Sequence, residues 1–207
     1  MLYQLLKPVG VTGINLFFNS ISVENQERIP NQGPLIFVAN HPNTMMDPLI
    51  VGANCNRRVS FLARSTLFSN KIFAWLLGLI GIIPVYRKID AEGDMVRNEE
   101  MFAATHRHLE KGRALLIFPE GISTPERIIH KVKTGAARIG LGAEENNDFN
   151  LNVQIVPAGI IILQEPSFAV MSIAVLVTQL PWQIFGSSMR LIIDPRYKLS
   201  QHNCSRP

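Results

Sequence analysis

Short apolar runs that open directly into polar or proline-containing turns are the feature that most constrains this chain. Residues 35–39, 114–118 and 153–156 form such runs, and helical stretches separate them along the sequence. Strands that alternate with helices are typical of an α/β fold, in which the connected strands run parallel. The sequence therefore predicts an α/β domain with a largely parallel central sheet flanked by helices. The carboxyl ends of its strands share one edge of the sheet, where ligands bind.

A histidine and then an acid follow the first of these runs. His41 precedes Pro42, and a residue before proline is pushed towards extended geometry, so we expect His41 to lie in a loop. A helix cap at Asn43 or Thr44 would place Asp47 in the first turn of the next helix, pointing back. An aspartate that binds one imidazole nitrogen fixes the tautomer and leaves the other nitrogen as a base. The alternative is a strand-end histidine and an acid that only complements the helix dipole.

Composition narrows the classes of partner. The chain has 207 residues, which suffice for one domain with a substantial core, and its formal net charge is +4. A positive charge suits an anionic partner such as a lipid surface or a phosphorylated substrate. Neither a dense Lys/Arg helix nor zinc-ligand spacing is visible, which argues against nucleic acid as a partner. Cys55 and Cys204 form no CxxC pattern, so we expect neither a disulfide framework nor a metal site.

Two apolar segments are candidates for membrane association. Residues 1–18 form an irregular apolar helix, and residues 72–85 carry no charge but are too short to span a bilayer. Trp75 and the flanking cations Lys71, Arg87 and Lys88 suit a segment that enters the lipid headgroup region. The alternatives are a helix packed on the core for the first segment, and a buried helix followed by a strand at residues 81–86 for the second. We expect a membrane-associated protein that faces the cytoplasm.

The remaining predicted elements contain fewer candidate functional residues. His106 and His108 lie on a predicted surface helix, and we expect both to be solvated because positions two apart do not face one direction. The sequence also predicts a short edge strand at residues 21–23, a strand at 59–63, the surface helix at 90–112 and a last strand at 189–193.

Three blocks in a fixed order, ANHPNTMMD, IFPEGIST and IVPAG, resemble the glycerophospholipid acyltransferase superfamily. The resemblance runs from about residue 29 to 163. The common form of the family has four residues between the histidine and the aspartate, whereas five separate His41 from Asp47. HPNTMMD, followed later by KTGAARIGL, is more similar to the branch of glycerol-3-phosphate and dihydroxyacetone-phosphate acyltransferases with the longer spacing. We expect the chain to consist of an N-terminal apolar helical segment (1–28), an acyltransferase domain (29–193) and a loose tail (194–207).

The resemblance implies acyl transfer from a thioester, acyl-CoA or acyl carrier protein, to a hydroxyl of glycerol-3-phosphate or of a lysophospholipid such as 1-acylglycerol-3-phosphate. His41 would be the general base and Asp47 would orient it. We expect direct transfer without a cofactor or metal, because neither cysteine lies in a matching motif. Two alternatives stay open: an acyltransferase that remodels other lysophospholipids, and a catalytically inactive lipid-binding protein on the same fold.

A phosphorylated acceptor requires fixed positive charge in the site. The resemblance assigns this charge to Arg87, at the end of GIIPVYR, and Arg64 and Lys133 are further candidates because cations pair with phosphate. Glu120 resembles the family's acceptor-binding position, and Gly121 permits close approach of the backbone. The ordinary alternatives are surface cations with solvated heads and a tight turn at Pro-Glu-Gly.

Overall fold

The computed structural model describes residues 2–18, 20–44, 46–85, 95–124, 130–164 and 169–174. Helices and strands alternate over most of this length, as the sequence predicts. In chain order they are α1 (Leu2–Phe17), β1 (Ser20–Glu24), β2 (Leu35–Ala39), α2 (Met46–Asn54), β3 (Val59–Arg64), α3 (Lys71–Ile80), β4 (Ile82–Val85), α4 (Met95–Glu110), β5 (Ala114–Ile117), α5 (Gly135–Glu145), β6 (Gln154–Gln164) and β7 (Ala169–Ala174).

The strands form one sheet in the order β1-β7-β6-β2-β5-β3-β4. All pairs from β6 to β4 are parallel, whereas β7 is antiparallel to β6 and β1 runs parallel to β7. The predicted α/β fold with a largely parallel sheet and flanking helices is confirmed. The strand predicted at residues 21–23 is part of β1 and lies at an edge of the sheet. The predicted last strand at 189–193 and the tail lie outside the described residues.

An apolar core covers each face of the sheet. Leu35, Phe37 and Ala39 of β2 pack with buried residues of α1 and α2 on one face, whereas Ile36 packs with α4 and α5 on the other. Successive side chains of a strand point to opposite faces. Parallel strands that are covered on both faces read as continuous apolar runs, which explains the pattern seen in the sequence.

The prediction that the third apolar run ends at a Pro-Ala-Gly turn was wrong. Strand β6 continues through Pro157 as far as Gln164. The N–H and C=O groups of Ile160 face β2, where they bind the side chain of Asn40. The main-chain N–H and C=O groups of successive residues in a strand point to opposite neighbouring strands. Pro157 is three residues before Ile160, so its nitrogen points away from β2. Within the described residues β7 pairs with β6 only from Gly159 onwards. The missing N–H of proline therefore breaks no ladder hydrogen bond between β6 and β2.

Each of the two apolar segments contains a helix that leaves apolar side chains exposed. Helix α1 is followed by Phe18, which is buried in the core together with Ile14, whereas Leu16 is 84% exposed. The segment at residues 72–85 is a helix followed by a strand, as the alternative reading predicts, but Trp75 is 64% exposed. Within the described residues, none of the helices combines the length and the hydrophobicity needed to cross a bilayer.

The prediction that His106 and His108 are solvated was wrong. Both side chains are half-buried on α4, and the Nε2 atom of each is buried without a hydrogen-bond partner among the described residues. The physical reason for His106 is that α5 packs on α4: a Cβ atom built on Gly142 would lie 2.7 Å from its ring, and the Asn146 side chain lies 3.0 Å from its Nδ1. Burial lowers the pKa of His106.

Candidate active site

His41 and Asp47 meet just beyond the carboxyl end of β2. Nδ1 of His41 lies 2.8 Å from Oδ2 of Asp47, and the Asp47 side chain is fully buried, at 0% exposure. Asp47 stands in the first turn of α2, as predicted. Asn43 caps that turn, because its Oδ1 accepts the Met46 N–H at 3.3 Å, while its own N–H donates to Oδ2 of Asp47 at 2.7 Å. The cap explains how a chain that leaves β2 through Pro42 can turn an acid back towards the histidine.

The block that contains Pro-Glu-Gly holds His41 from a second direction. The ring of Phe118 stacks on the imidazole of His41. Thr124, at the other end of the block, donates its N–H to the carbonyl oxygen of His41 at 3.1 Å. Oγ1 of Thr124 in turn lies 2.9 Å from Nε2 of His130. Sequence reasoning missed these contacts, although the position of Phe118 directly before the turn was a usable signal.

Lys133 lies over the Pro-Glu-Gly turn. Its main-chain N–H donates to the carbonyl of Pro119 at 2.9 Å. Gly121 has a φ of +66°, and a Cβ atom built on it would lie 2.6 Å from the Lys133 ammonium nitrogen. The absence of a side chain at Gly121 thus makes room for the cation. Glu120, in the same turn, is buried.

Of the other two predicted cations, the structure describes only Arg64. Arg64 is exposed at the carboxyl end of β3. Because β3, β5 and β2 run parallel, this end belongs to the same edge of the sheet as His41. Arg87 lies outside the described residues. The described part of the site thus combines a carboxylate-held imidazole, a buried carboxyl side chain, and one cation beside the turn.

Chemically, this arrangement suits proton transfer next to an anionic ligand. Asp47 occupies Nδ1 of His41, so Nε2 is the nitrogen that can accept a proton. The cation of Lys133 is placed to attract negative charge at the turn that holds Glu120.

A family model described as "Acyltransferase" matches residues 20–161. The chain is 28% identical over 141 residues to a 1-acyl-sn-glycerol-3-phosphate acyltransferase from Streptococcus pneumoniae, which covers 67% of this chain and 49% of that protein. It is 37% identical over 95 residues to glycerol-3-phosphate O-acyltransferase 1 of Saccharomyces cerevisiae, which covers 44% of this chain and 12% of that protein. The chain therefore spans half or less of the length of these relatives.

A solved structure shares the fold. The crystal structure of the 1-acyl-sn-glycerophosphate (LPA) acyltransferase PlsC from Thermotoga maritima superposes with a TM-score of 0.66. The match covers 91% of this chain and 73% of that chain at 17% sequence identity. At this level of identity the likeness shows that the two proteins have the same α/β architecture.

Proposed function

This chain belongs to the acyltransferase family, whose model covers residues 20–161, and from that premise we propose that it transfers a fatty acyl group from a thioester to a phosphorylated glycerol. The acceptor is glycerol-3-phosphate or a lysophospholipid such as 1-acylglycerol-3-phosphate, and the donor is acyl-CoA or acyl carrier protein. The names of the Streptococcus and Saccharomyces relatives support this class of acceptor.

The contact between His41 and Asp47 carries the proposal. An alcohol with a pKa far above neutrality needs a base as it attacks, and His41 supplies that base at Nε2. Asp47 fixes the tautomer through Nδ1 at 2.8 Å. Its other oxygen, Oδ1, is buried and has no hydrogen-bond partner among the described residues. A buried carboxylate with so few partners attracts the imidazolium that forms during the reaction, because the local dielectric constant is low.

The reaction proceeds by direct transfer. The acceptor oxygen bonds to the thioester carbonyl carbon while Nε2 of His41 takes the hydroxyl proton, and the carbonyl π electrons move to oxygen. Collapse of this tetrahedral oxyanion re-forms the carbonyl and breaks the C–S bond. The departing thiolate takes the proton from His41, which returns the imidazole to its neutral state. No side chain of the protein becomes acylated.

The acceptor is bound by charge and by a carboxylate. We assign the acceptor phosphate to Lys133, whose ammonium lies beside Gly121, together with Arg64 and Arg87. The buried Glu120 accepts hydrogen bonds from the glycerol hydroxyls. Charge-assisted bonds of this kind are stronger than neutral ones, which suits recognition of a small polar acceptor.

The exposed apolar side chains of α1 and α3 bind the protein to a membrane surface. The two helices contact each other, and we name their exposed residues the apolar surface. A thioester donor would reach the site from the cytoplasmic side of that membrane. The apolar surface consists of Val9, Leu16, Phe17, Ile72 and Trp75.

A substrate panel on the full chain with lipid vesicles tests the proposal. Release of free thiol is measured from acyl-CoA and from acyl carrier protein with glycerol-3-phosphate, 1-acylglycerol-3-phosphate or lysophosphatidylcholine as acceptor. We expect release with a phosphorylated glycerol, loss of release in His41→Ala, and a decrease of about a thousandfold or more in Asp47→Asn, where the wrong tautomer is held. His108→Gln, at the opposite edge of the sheet, is the control and keeps its activity.

Three results would contradict the proposal. Undiminished thiol release in His41→Ala would remove the catalytic assignment. Acylation of lysophosphatidylcholine alone would favour a lysophospholipid-remodelling enzyme. Vesicle binding without thiol release from any acceptor would favour an inactive lipid-binding protein.

A further inference from the structure

The side chain of Asn40 continues the ladder between β2 and β6 beyond the end of β2. The last main-chain pair of the two strands is Ala39 with Ala158. Beyond that pair, Nδ2 of Asn40 donates to the carbonyl of Ile160 at 2.9 Å, and the N–H of Ile160 donates to Oδ1 of Asn40 at 2.7 Å. A carboxamide carries the same donor and acceptor as a peptide group. The side chain therefore replaces the next main-chain pair of the ladder.

This contact fixes the point from which His41 leaves the sheet. At Asn40 the main chain turns away towards Pro42, yet the residue stays attached to β6 by two hydrogen bonds. The carbonyl of His41 is attached on its other side, by the N–H of Thr124 at 3.1 Å. The main chain on either side of the imidazole is thus anchored to two different segments of the fold.

We propose that Asn40 is a positioning residue for His41, through its paired hydrogen bonds with Ile160. The inference rests on the proposed function, in which His41 is the general base. Asp47 and Phe118 orient the ring of His41, and Asp47 also binds the main-chain N–H of Asn43 after it, but neither holds the main chain before His41. A displacement of the reacting groups by about 1 Å costs up to about a hundredfold in rate. The two bonds with Ile160 prevent such a displacement.

The chemistry of the pair explains why asparagine is needed. In Asn40→Asp the shape is retained, but a carboxylate oxygen replaces Nδ2 opposite the carbonyl of Ile160, where two acceptors repel. In Asn40→Ala both bonds are lost. Asn40→Asp therefore replaces one of the two bonds by a repulsion, Asn40→Ala removes both, and both variants should release the main chain before His41.

The test uses Asn40→Asp and Asn40→Ala in the full chain with vesicles. We expect kcat to fall about 10- to 100-fold while KM for the acceptor changes by less than about threefold, because geometry changes and acceptor contacts do not. Amide hydrogen exchange at Ile160 should accelerate, and the Nδ1 proton resonance of His41 should shift. The matched control is Asn147→Ala, which removes a side-chain bond of 2.8 Å to the carbonyl of Ala143 and should leave kcat unchanged.

Each other outcome overturns the inference. Unchanged kcat in folded variants would remove the positioning role. A rise in KM alone would place Asn40 in acceptor binding, and failure of both variants to fold would assign it to stability. Failure of the proposed function is distinguishable, because an active His41→Ala would contradict that function, whereas an inactive His41→Ala beside a fully active Asn40→Ala contradicts this inference alone.

Discussion

The imidazole of His41 lies flat on the phenyl ring of Phe118, with the ring centroids 3.8 Å apart and the planes inclined by 11°. The two residues follow neighbouring parallel strands, β2 and β5. Asp47 holds the edge of the imidazole and Phe118 covers one of its faces, so the ring is restrained in two directions. The first two blocks of the resemblance thus both contribute to the orientation of this one side chain.

Replacing Phe118 by leucine should lower kcat by about three- to tenfold. Leucine keeps the site apolar but offers no flat surface, and an aromatic pair contributes about 0.5–1.5 kcal/mol beyond its buried area. The measurement is steady-state thiol release, with circular dichroism to establish that the variant is folded. Phe118→Tyr retains the ring and serves as the control. Full activity in the leucine variant would show that the stack has no part in turnover.

Replacing Gly121 by alanine should raise KM for the acceptor several-fold and lower the free energy of unfolding by about 1–2 kcal/mol. The new Cβ would lie 2.6 Å from the Lys133 ammonium and displace it, and a φ of +66° is costly for any residue with a side chain. Gly33→Ala is a matched control, since Gly33 has a φ of +84° with nothing within 4 Å of a built Cβ. It should lose stability without a change in KM. Equal KM values in the two variants would show that Lys133 takes no part in acceptor binding.

The sequence was sufficient to predict the contact between His41 and Asp47 but not the long-range contacts around it. Pro42 and a helix cap predict that Asp47 turns back towards His41, because these effects act between near neighbours in the chain. The contact of Asn40 with Ile160 joins residues 120 positions apart, and a local pattern contains no information on it. Pro157 was read as a turn for the same reason, since its tolerance depends on which strand lies beside it.

A half-buried residue outside the motifs was also missed. Arg57 donates to the carbonyls of Pro30, Gly33 and Gly112 at 2.6–2.8 Å and so anchors the loop before β2. Its sequence neighbourhood is indistinguishable from that of a surface arginine. Only the folded chain brings three carbonyl groups around it.

Replacing Leu16 and Trp75 together by serine should lower the partition coefficient onto anionic vesicles by at least about tenfold. Burial of a large apolar side chain contributes about 1.5–3 kcal/mol, and both side chains are mostly exposed, at 84% and 64%. Co-sedimentation with vesicles measures the effect. Leu141→Ser is the control, because Leu141 is also exposed but lies on α5, across the sheet from α1. An equal decrease of the partition coefficient in the double variant and in Leu141→Ser would contradict the assignment of the apolar surface.

His108 lies on α4 at the edge of the sheet opposite His41, just before β5. Burial lowers its pKa from 6.5 to about 4, the positive charges of Arg113, Arg58 and Lys111 add to this effect, and a hydrogen bond with the main chain of Ala114 opposes it. Its buried Nε2 atom has no partner among the described residues, so a proton added there would gain no acceptor. The folded protein therefore keeps this imidazole neutral where an unfolded chain would protonate it.

The free energy of unfolding should consequently decrease as the pH falls from 6.5 to 4, and part of that decrease should disappear in His108→Gln. Over this interval the unfolded chain binds the proton and the folded chain does not, so acid favours unfolding. Above pH 6.5 both states are neutral at this position, and the difference between the two proteins should be constant. Urea denaturation at a series of pH values measures, for each of the two proteins, the slope of the free energy of unfolding against pH. Because all other titrating groups are common to the two proteins, identical slopes below pH 6.5 would show that His108 is protonated equally in the folded and unfolded states.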